Sequence, residues 1–196
     1  MTPERQARIH EVLRYRQNNL TVVLENVHDP HNISAVMRSC DAVGISEIYV
    51  LNNRIARHKK YGDKSSSSAS KWMLVHQFTE TEKCFEALRA KYHHIYSTHL
   101  SENAKDLYQL NLTESVALVF GNESEGITEE TLKRCDGNFI IPQMGMIQSL
   151  NISVACAVSI YEAMRQKREA GHYAQSSLEA FEQEALLQYW NINLPE

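Results

Sequence analysis

Short β-rich runs alternate with stretches of helical period along most of this chain, and that alternation restricts the fold more than any other feature. Strands are predicted at Thr21 to Leu24, Glu47 to Leu51, Met73 to Phe78, Ile95 to Thr98, Val116 to Phe120 and Asn138 to Ile141. The run Val-Ala-Leu-Val-Phe at 116–120 is apolar at every position, which fits a strand covered on both faces. Between these runs, helices are predicted at Pro3 to Gln17, Glu80 to Lys91 and Glu129 to Cys135, and over Leu150 to Arg168, where Val154, Ala157, Val158, Tyr161 and Met164 recur at helical intervals. A further helix is expected to start at Asn32 as its N-cap, carry Ile33, Val36, Met37, Cys40 and Val43 as one apolar stripe, and stop at Gly44. Regular alternation of this kind implies an α/β fold, a mostly parallel sheet with helices on both faces.

With 196 residues, 43% of them hydrophobic, the chain can bury a core without covalent staples. Cys40, Cys84, Cys135 and Cys156 lie far apart and form no CxxC pair, so neither a zinc site nor a disulfide framework is expected. His28 and His31 lack a carboxylate-rich partner set, and no metal is expected there. No apolar run approaches the roughly 20 residues of a membrane-spanning helix, and the expected location is the cytoplasm.

The net charge of −4 argues against a polyanionic partner until its distribution is considered. Residues 1–16 carry Arg5, Arg8, Arg14 and Arg16 against Glu4 and Glu11, a net +2. Residues 54–64 carry Arg54, Arg57, Lys59, Lys60 and Lys64 against Asp63, a net +4. From Leu178 to Glu196 there are four glutamates and no basic residue, and this tail offsets the basic segments in the total. Such segments are compatible with a solvated surface or with a nucleic-acid footprint.

Three loops fall where open α/β sheets collect ligands, at the carboxyl ends of strands. His28-Asp29-Pro30-His31-Asn32 leads into a helix expected to present Ser34 and Arg38 on one face, opposite the apolar stripe. Gly121-Asn122-Glu123-Ser124-Glu125-Gly126 follows the apolar strand, and its glycines permit tight turns and close approach of a ligand. It is not a phosphate-binding loop of the Gly-Lys-Ser/Thr type, and no GxGxxG follows the early strands. The third loop, Pro142 to Asn151, is apolar and glycine-containing and ends in polar residues at the mouth of the last long helix. Ser149 has no histidine nearby in sequence to activate it as a nucleophile. Met144 and Met146 suit core packing as well as a cofactor wall, and each loop taken alone suits an ordinary connection.

Taken in order, the loops resemble the three motifs of the SPOUT methyltransferases, and in particular the TrmH-like tRNA guanosine 2′-O-methyltransferase family. Asn32 to Arg38 with Cys40-Asp41-Ala42-Val43-Gly44 is similar to the first motif. Phe120 to Glu123 with Gly126 is similar to the second, and Ile141 to Met146, Gln148 to Asn151 and Ser153-Val154-Ala155 to the third. The resemblance extends over roughly residues 5 to 175.

It implies a SPOUT domain over residues 21–170 with a C-terminal trefoil knot, a basic helix before it (1–20) and a short acidic extension after it (171–196). It also implies a homodimer built on the motif-one helix and the long C-terminal helix, acting on tRNA with S-adenosyl-L-methionine as cofactor. By the same resemblance Thr98, Gly121, Ile141 and Leu150 line the adenosyl site through their backbones. Arg38 is then the residue at the ribose hydroxyl, Asn32 positions Arg38 or the ribose, Glu123 fixes the loop network, and Ser149 and Asn151 hold the substrate phosphate. Arg5, Arg8, Arg14 and Arg16 become the tRNA-docking set. The implied target is the D-loop guanosine at position 18, with ribosomal RNA, another tRNA nucleotide or a catalytically silent RNA-binding role as alternatives. The serine-rich stretch within Tyr61 to Ser70 and the acidic tail depart from the family pattern.

Overall fold

Every residue of β1 (Leu20–Glu25) and of β6 (Val116–Phe120) is buried, and the two pair in parallel at the middle of a seven-stranded sheet. The computed structural model describes residues 1–58, 69–122 and 124–192. Within them the strand order is β3-β2-β1-β6-β4-β7-β5, with β2 at Glu47–Leu51, β3 at Leu74–Phe78, β4 at His94–Thr98, β5 at Lys105–Asp106 and β7 at Gly137–Ile140. All six pairings are parallel, as the alternation predicts.

Because side chains alternate along a strand, adjacent residues of each strand feed opposite cores. Val22, Leu24, Ile48, Val50, Leu118 and Phe120 face the layer that contains α2 (Pro30–Ala42) and α5 (Ile152–Glu169). Val23, Tyr49, Leu51, Ala117 and Val119 face α3 (Thr81–Arg89), where they meet Cys84, Phe85 and Leu88. A third, smaller cluster joins α1 (Pro3–Tyr15) to the C-terminal α6 (Ala180–Tyr189) through Ile9, Leu13, Leu186 and Trp190. The short α4 (Glu129–Leu132) completes the elements.

Several local expectations are corrected. The cap of α2 is Asp29, whose carboxylate accepts from the His31 amide at 2.8 Å, and Asn32 is already the third helical residue. The Asp-Pro pair starts the helix early, because proline at the first helical position brings a preset φ and needs no amide partner. The apolar stripe Ile33, Val36, Met37, Cys40 and Val43 is fully buried as expected. Ser34, expected beside Arg38 on the outer face, is buried too, and its hydroxyl donates to the Pro30 carbonyl at 2.9 Å. Arg38 is exposed.

Arg16, expected to dock RNA, is 1% exposed. It donates to the Ile45 carbonyl at 2.8 Å, to Asp41 at 2.7 Å and to the Trp72 carbonyl at 3.0 Å, and its guanidinium lies 5.5 Å from the Trp190 ring centroid. A buried arginine held by these partners ties α1 to α2 and is withdrawn from the surface where a phosphate would bind. Gly44 makes room for that junction: its φ is +85°, and a Cβ there would sit 2.3 Å from the Tyr15 carbonyl oxygen.

The tail expected as a plain acidic extension contains α6, and Glu179 and Glu182 form its capping box. Glu123, residues 59–68 with most of the serine-rich stretch, and residues 193–196 lie outside the described residues. Among the described residues, no helix is long and apolar enough to cross a membrane, and no group of three or more His, Cys, Asp or Glu side chains could hold a metal ion.

At the opposite end of the sheet from the three loops, Glu47 begins β2 as a buried carboxylate. It accepts from Tyr92 at 2.8 Å, Tyr49 at 3.2 Å and Lys91 at 2.9 and 3.0 Å, and is hydrogen-bonded to His76 at 2.9 Å. Burial pushes its pKa up, but the hydrogen bonds from His76 and Lys91 and the Lys91 charge outweigh it and bring the value down to about 2. A depressed carboxylate stabilises the fold above its unfolded pKa, and that stability is lost as the pH falls from about 4.5 toward 2. Urea unfolding across that window should show wild type losing about 2–3 kcal/mol more than Glu47→Gln; parallel pH curves would refute the linkage.

Candidate active site

The carboxyl ends of β4, β6 and β7 stop at Thr98, Phe120 and Ile140, and the chain beyond each contributes to one cleft of about 640 Å³. All four residues expected at the adenosyl site, Thr98, Gly121, Ile141 and Leu150, line it, together with Ser149 and Asn151. Phe139, Ile141, Leu150 and Ile152 supply apolar walls, and backbone and amide groups supply the polar points. Its volume falls in the range of about 300–1,000 Å³ usual for sites that enclose a small ligand. A flat heteroaromatic group with a polar tail, such as S-adenosylmethionine, fits these residues.

Two features shape the wall after β6. Gly121 meets the returning chain so closely that a Cβ would lie 2.3 Å from both the carbonyl carbon and the oxygen of Gly126. Asn122 and Gly126 exchange backbone hydrogen bonds at 2.9 and 3.2 Å, while the Asn122 side chain accepts from the amides of Ser124 and Glu125 at 2.6 and 3.0 Å. Beneath the loop, the fully buried Glu25 accepts from the Thr128 amide and hydroxyl at 2.9 and 2.7 Å, from Thr131 at 2.6 Å and from Asn53 at 3.3 Å. This carboxylate binds the end of β1 to the start of α4 and holds the glycine loop from below. Sequence reasoning missed it, although a lone carboxylate closing an otherwise apolar strand was a visible signal. His99, which also lines the cleft, was likewise not singled out.

The first and third motif segments meet through Asn151. Its Oδ1 caps α5 by accepting from the Ser153 amide and hydroxyl at 2.9 and 2.6 Å, and its Nδ2 donates to Asn32 Oδ1 at 3.2 Å. Two helix N-termini therefore converge beside the cleft, a setting that favours negative charge. Ile33 and Met37 of α2 share one core with Ile152 and Cys156 of α5, which holds the two segments in place. Arg38 stands further along α2, outside the cleft lining, on the exposed side.

Contrary to the core-packing option, Met144 and Met146 are 95% and 98% exposed. Of the arginines expected to dock RNA, Arg5 is exposed, Arg8 is exposed and paired with Glu11 at 2.6 Å, and Arg14 donates to the Ala174 carbonyl at 2.8 Å.

Comparison with known proteins agrees with this geometry. The SpoU rRNA Methylase family model matches residues 19–161, and the chain belongs to that family. It is 40% identical, over 96% of each chain, to the tRNA (guanosine(18)-2′-O)-methyltransferase of Thermus thermophilus. The crystal structure of the A. aeolicus TrmH/SpoU tRNA modifying enzyme is similar with a TM-score of 0.88 at 33% identity, covering 95% of this chain and 94% of that one. The SpoU methyltransferase AviRb from Streptomyces viridochromogenes in complex with the cofactor AdoMet is similar with a TM-score of 0.69 at 25% identity, over 83% of this chain and 62% of that one.

Since the Gly121 wall admits no side chain, Gly121→Ala should push the 121–126 loop into the cleft. Calorimetric titration with S-adenosylmethionine should show at least a ~10-fold loss of affinity in a protein that still unfolds cooperatively, a loss of about 1.4 kcal/mol. Unchanged affinity would mean that the loop does not bound the cofactor.

Proposed function

We propose that this chain methylates the ribose 2′-hydroxyl of guanosine 18 in the D-loop of tRNA, with S-adenosylmethionine as methyl donor. The observation that carries the reading is the convergence of the second and third motif segments on one cleft, with Asn151 joining the first motif segment to the third beside it. Family membership and the near full-length match to a tRNA (guanosine(18)-2′-O)-methyltransferase support the substrate.

The bound cofactor supplies an electrophilic methyl group on a sulfonium, so transfer is a direct displacement by the ribose oxygen. Most of what the protein must do is hold that oxygen in line, which is worth roughly 7–11 kcal/mol in well-oriented systems. Removal of the hydroxyl proton adds a further ~10²–10⁴-fold. Arg38 is suited to the first task and not to acting alone in the second, because a guanidinium with a pKa above about 12 does not give up its proton. It grips a phosphate of the substrate, orients the hydroxyl and stabilises negative charge developing on the oxygen, while the phosphate or water takes the proton. Asn32 and Asn151, hydrogen-bonded to each other, set the approach of that phosphate to the helix N-termini, with Ser149 beside them. Glu123 is assigned to the network of its own loop, and Arg5, Arg8 and Arg14 to docking of the tRNA body.

The functional unit is a homodimer in the cytoplasm, with the C-terminal segment knotted, a reading that rests on the resemblance of the three motifs. Supporting the dimer, the single chain leaves Met144, Met146, Ile147, Val154 and Tyr161, in the loop before α5 and on α5 itself, between 46% and 98% exposed.

Two measurements test the assignment. Labelled methyl transfer to a tRNA transcript should vanish when adenosine replaces guanosine 18, and persistent transfer would move the target elsewhere. Arg38→Ala should lower kcat at least ~100-fold with cofactor affinity retained, on the scale of losing a charge-stabilising group; an active variant would remove Arg38 from the mechanism.

A further inference from the structure

We propose that the pocket between α1, the Ser70–Trp72 turn and the end of α6 binds an unstacked nucleotide of the RNA substrate, distinct from the nucleotide that is methylated. This rests on the methyltransferase reading above and adds a second contact to it.

The pocket encloses about 520 Å³ and is lined by Arg5, Ser70, Lys71, Trp72, Tyr189 and Trp190. Among the described residues two cations and three aromatic rings line it and no carboxylate does, in a chain whose net charge is −4. Neither Arg5 nor Lys71 forms an ion pair among the described residues, and both are exposed. Tyr189 offers a ring that is 48% exposed. Trp190 is held rigidly: it is 9% exposed, packs edge-on against Trp72 with ring centroids 5.5 Å apart, and lies under the buried Arg16 guanidinium. Paired cations beside a fixed aromatic platform are the chemistry that captures a base by stacking and its phosphate by charge.

The location selects a folded RNA over a free nucleotide. Trp72 precedes β3 at one edge of the sheet, whereas the cleft lies beyond the far ends of β4, β6 and β7, three to five strands away. With strands about 4.8 Å apart and about 3.3 Å per residue along them, the two sites are separated by roughly 25 Å. No single nucleotide spans that distance, but a tRNA does. The pocket therefore selects substrates by tertiary shape, and the buried Arg16 serves it indirectly by setting the Trp190 ring.

Trp72 and Trp190 are the only tryptophans in the chain, so emission excited at the red edge, where tyrosine does not absorb, reports on this pocket. Titration with unmodified tRNA transcript should quench the absorbance-corrected emission saturably, while a short D-arm hairpin should not. Lys71→Ala and Tyr189→Ala, both at exposed positions, should each raise KM for full-length tRNA ~10-fold with kcat within about twofold. Methyl transfer measured in the same samples separates the two ideas. Transfer without quenching, or KM within twofold of wild type in both variants, overturns the pocket proposal alone, whereas no transfer by wild type to any tRNA overturns the function. Quenching by polyglutamate as strong as by tRNA would reassign the pocket to an acidic polypeptide and likewise overturn it.

Discussion

The parallel pairing of β1 with β6, in register from Leu20 opposite Val116 to Leu24 opposite Phe120, is the constraint on which the other features depend. Parallel neighbours cannot be joined by a tight turn, so the chain between them must leave the sheet and return. The crossovers through α2, α3 and α4 each deposit a helix on the sheet and bring the next strand in with the same polarity. Three connecting segments thus emerge side by side at the carboxyl ends of β4, β6 and β7. The cleft is a consequence of strand direction before it is a property of any residue lining it.

That geometry explains which parts were legible in the sequence. β6 was readable because a strand in the middle of a parallel sheet must be apolar on both faces, and five consecutive apolar residues leave little else to be. The α2 stripe was readable because burial recurs at the helical period. What failed depended on partners distant in the chain. Arg16 looks like any basic helix residue until Asp41 and the carbonyls of Ile45 and Trp72, 25 to 56 positions away, close around it. α6 was hidden because its apolar residues complete the face of α1, and the glutamates between them read as a solvated tail. The two-residue β5 carries too few side chains for any period to show.

The candidate site divides along the same line. Which loops take part was legible from the three motifs taken in order, with Gly121 and Ile141 directly after β6 and β7 and Leu150 at the mouth of α5. How the loops are held was not. Glu25 fixes the glycine loop through the hydroxyls of Thr128 and Thr131, 103 and 106 positions later in the chain, a pairing that no local pattern announces. A buried carboxylate surrounded by four donors is strongly constraining, because removing any one donor leaves charge uncompensated in a region shielded from solvent. The Asn151 to Asn32 hydrogen bond is equally invisible before folding and sets the distance between two helix N-termini.

Charge follows the same logic of placement over total. The tail glutamates Glu179 and Glu182 are occupied in capping α6, with Glu182 also accepting from the Asn18 side-chain amide at 3.1 Å. They are not distributed over the basic surface of α1, and they do not line the pocket that Arg5 and Lys71 share. With a screening length of about 8 Å at physiological salt, charges that far from a phosphate contribute little to its binding. An acidic chain can therefore present local surfaces on which an RNA sees only cations and aromatic rings. In the proposed mechanism the same separation applies to Arg38: standing on the exposed side of α2, outside the apolar cleft, it meets the reacting ribose only when an RNA phosphate brings the two together.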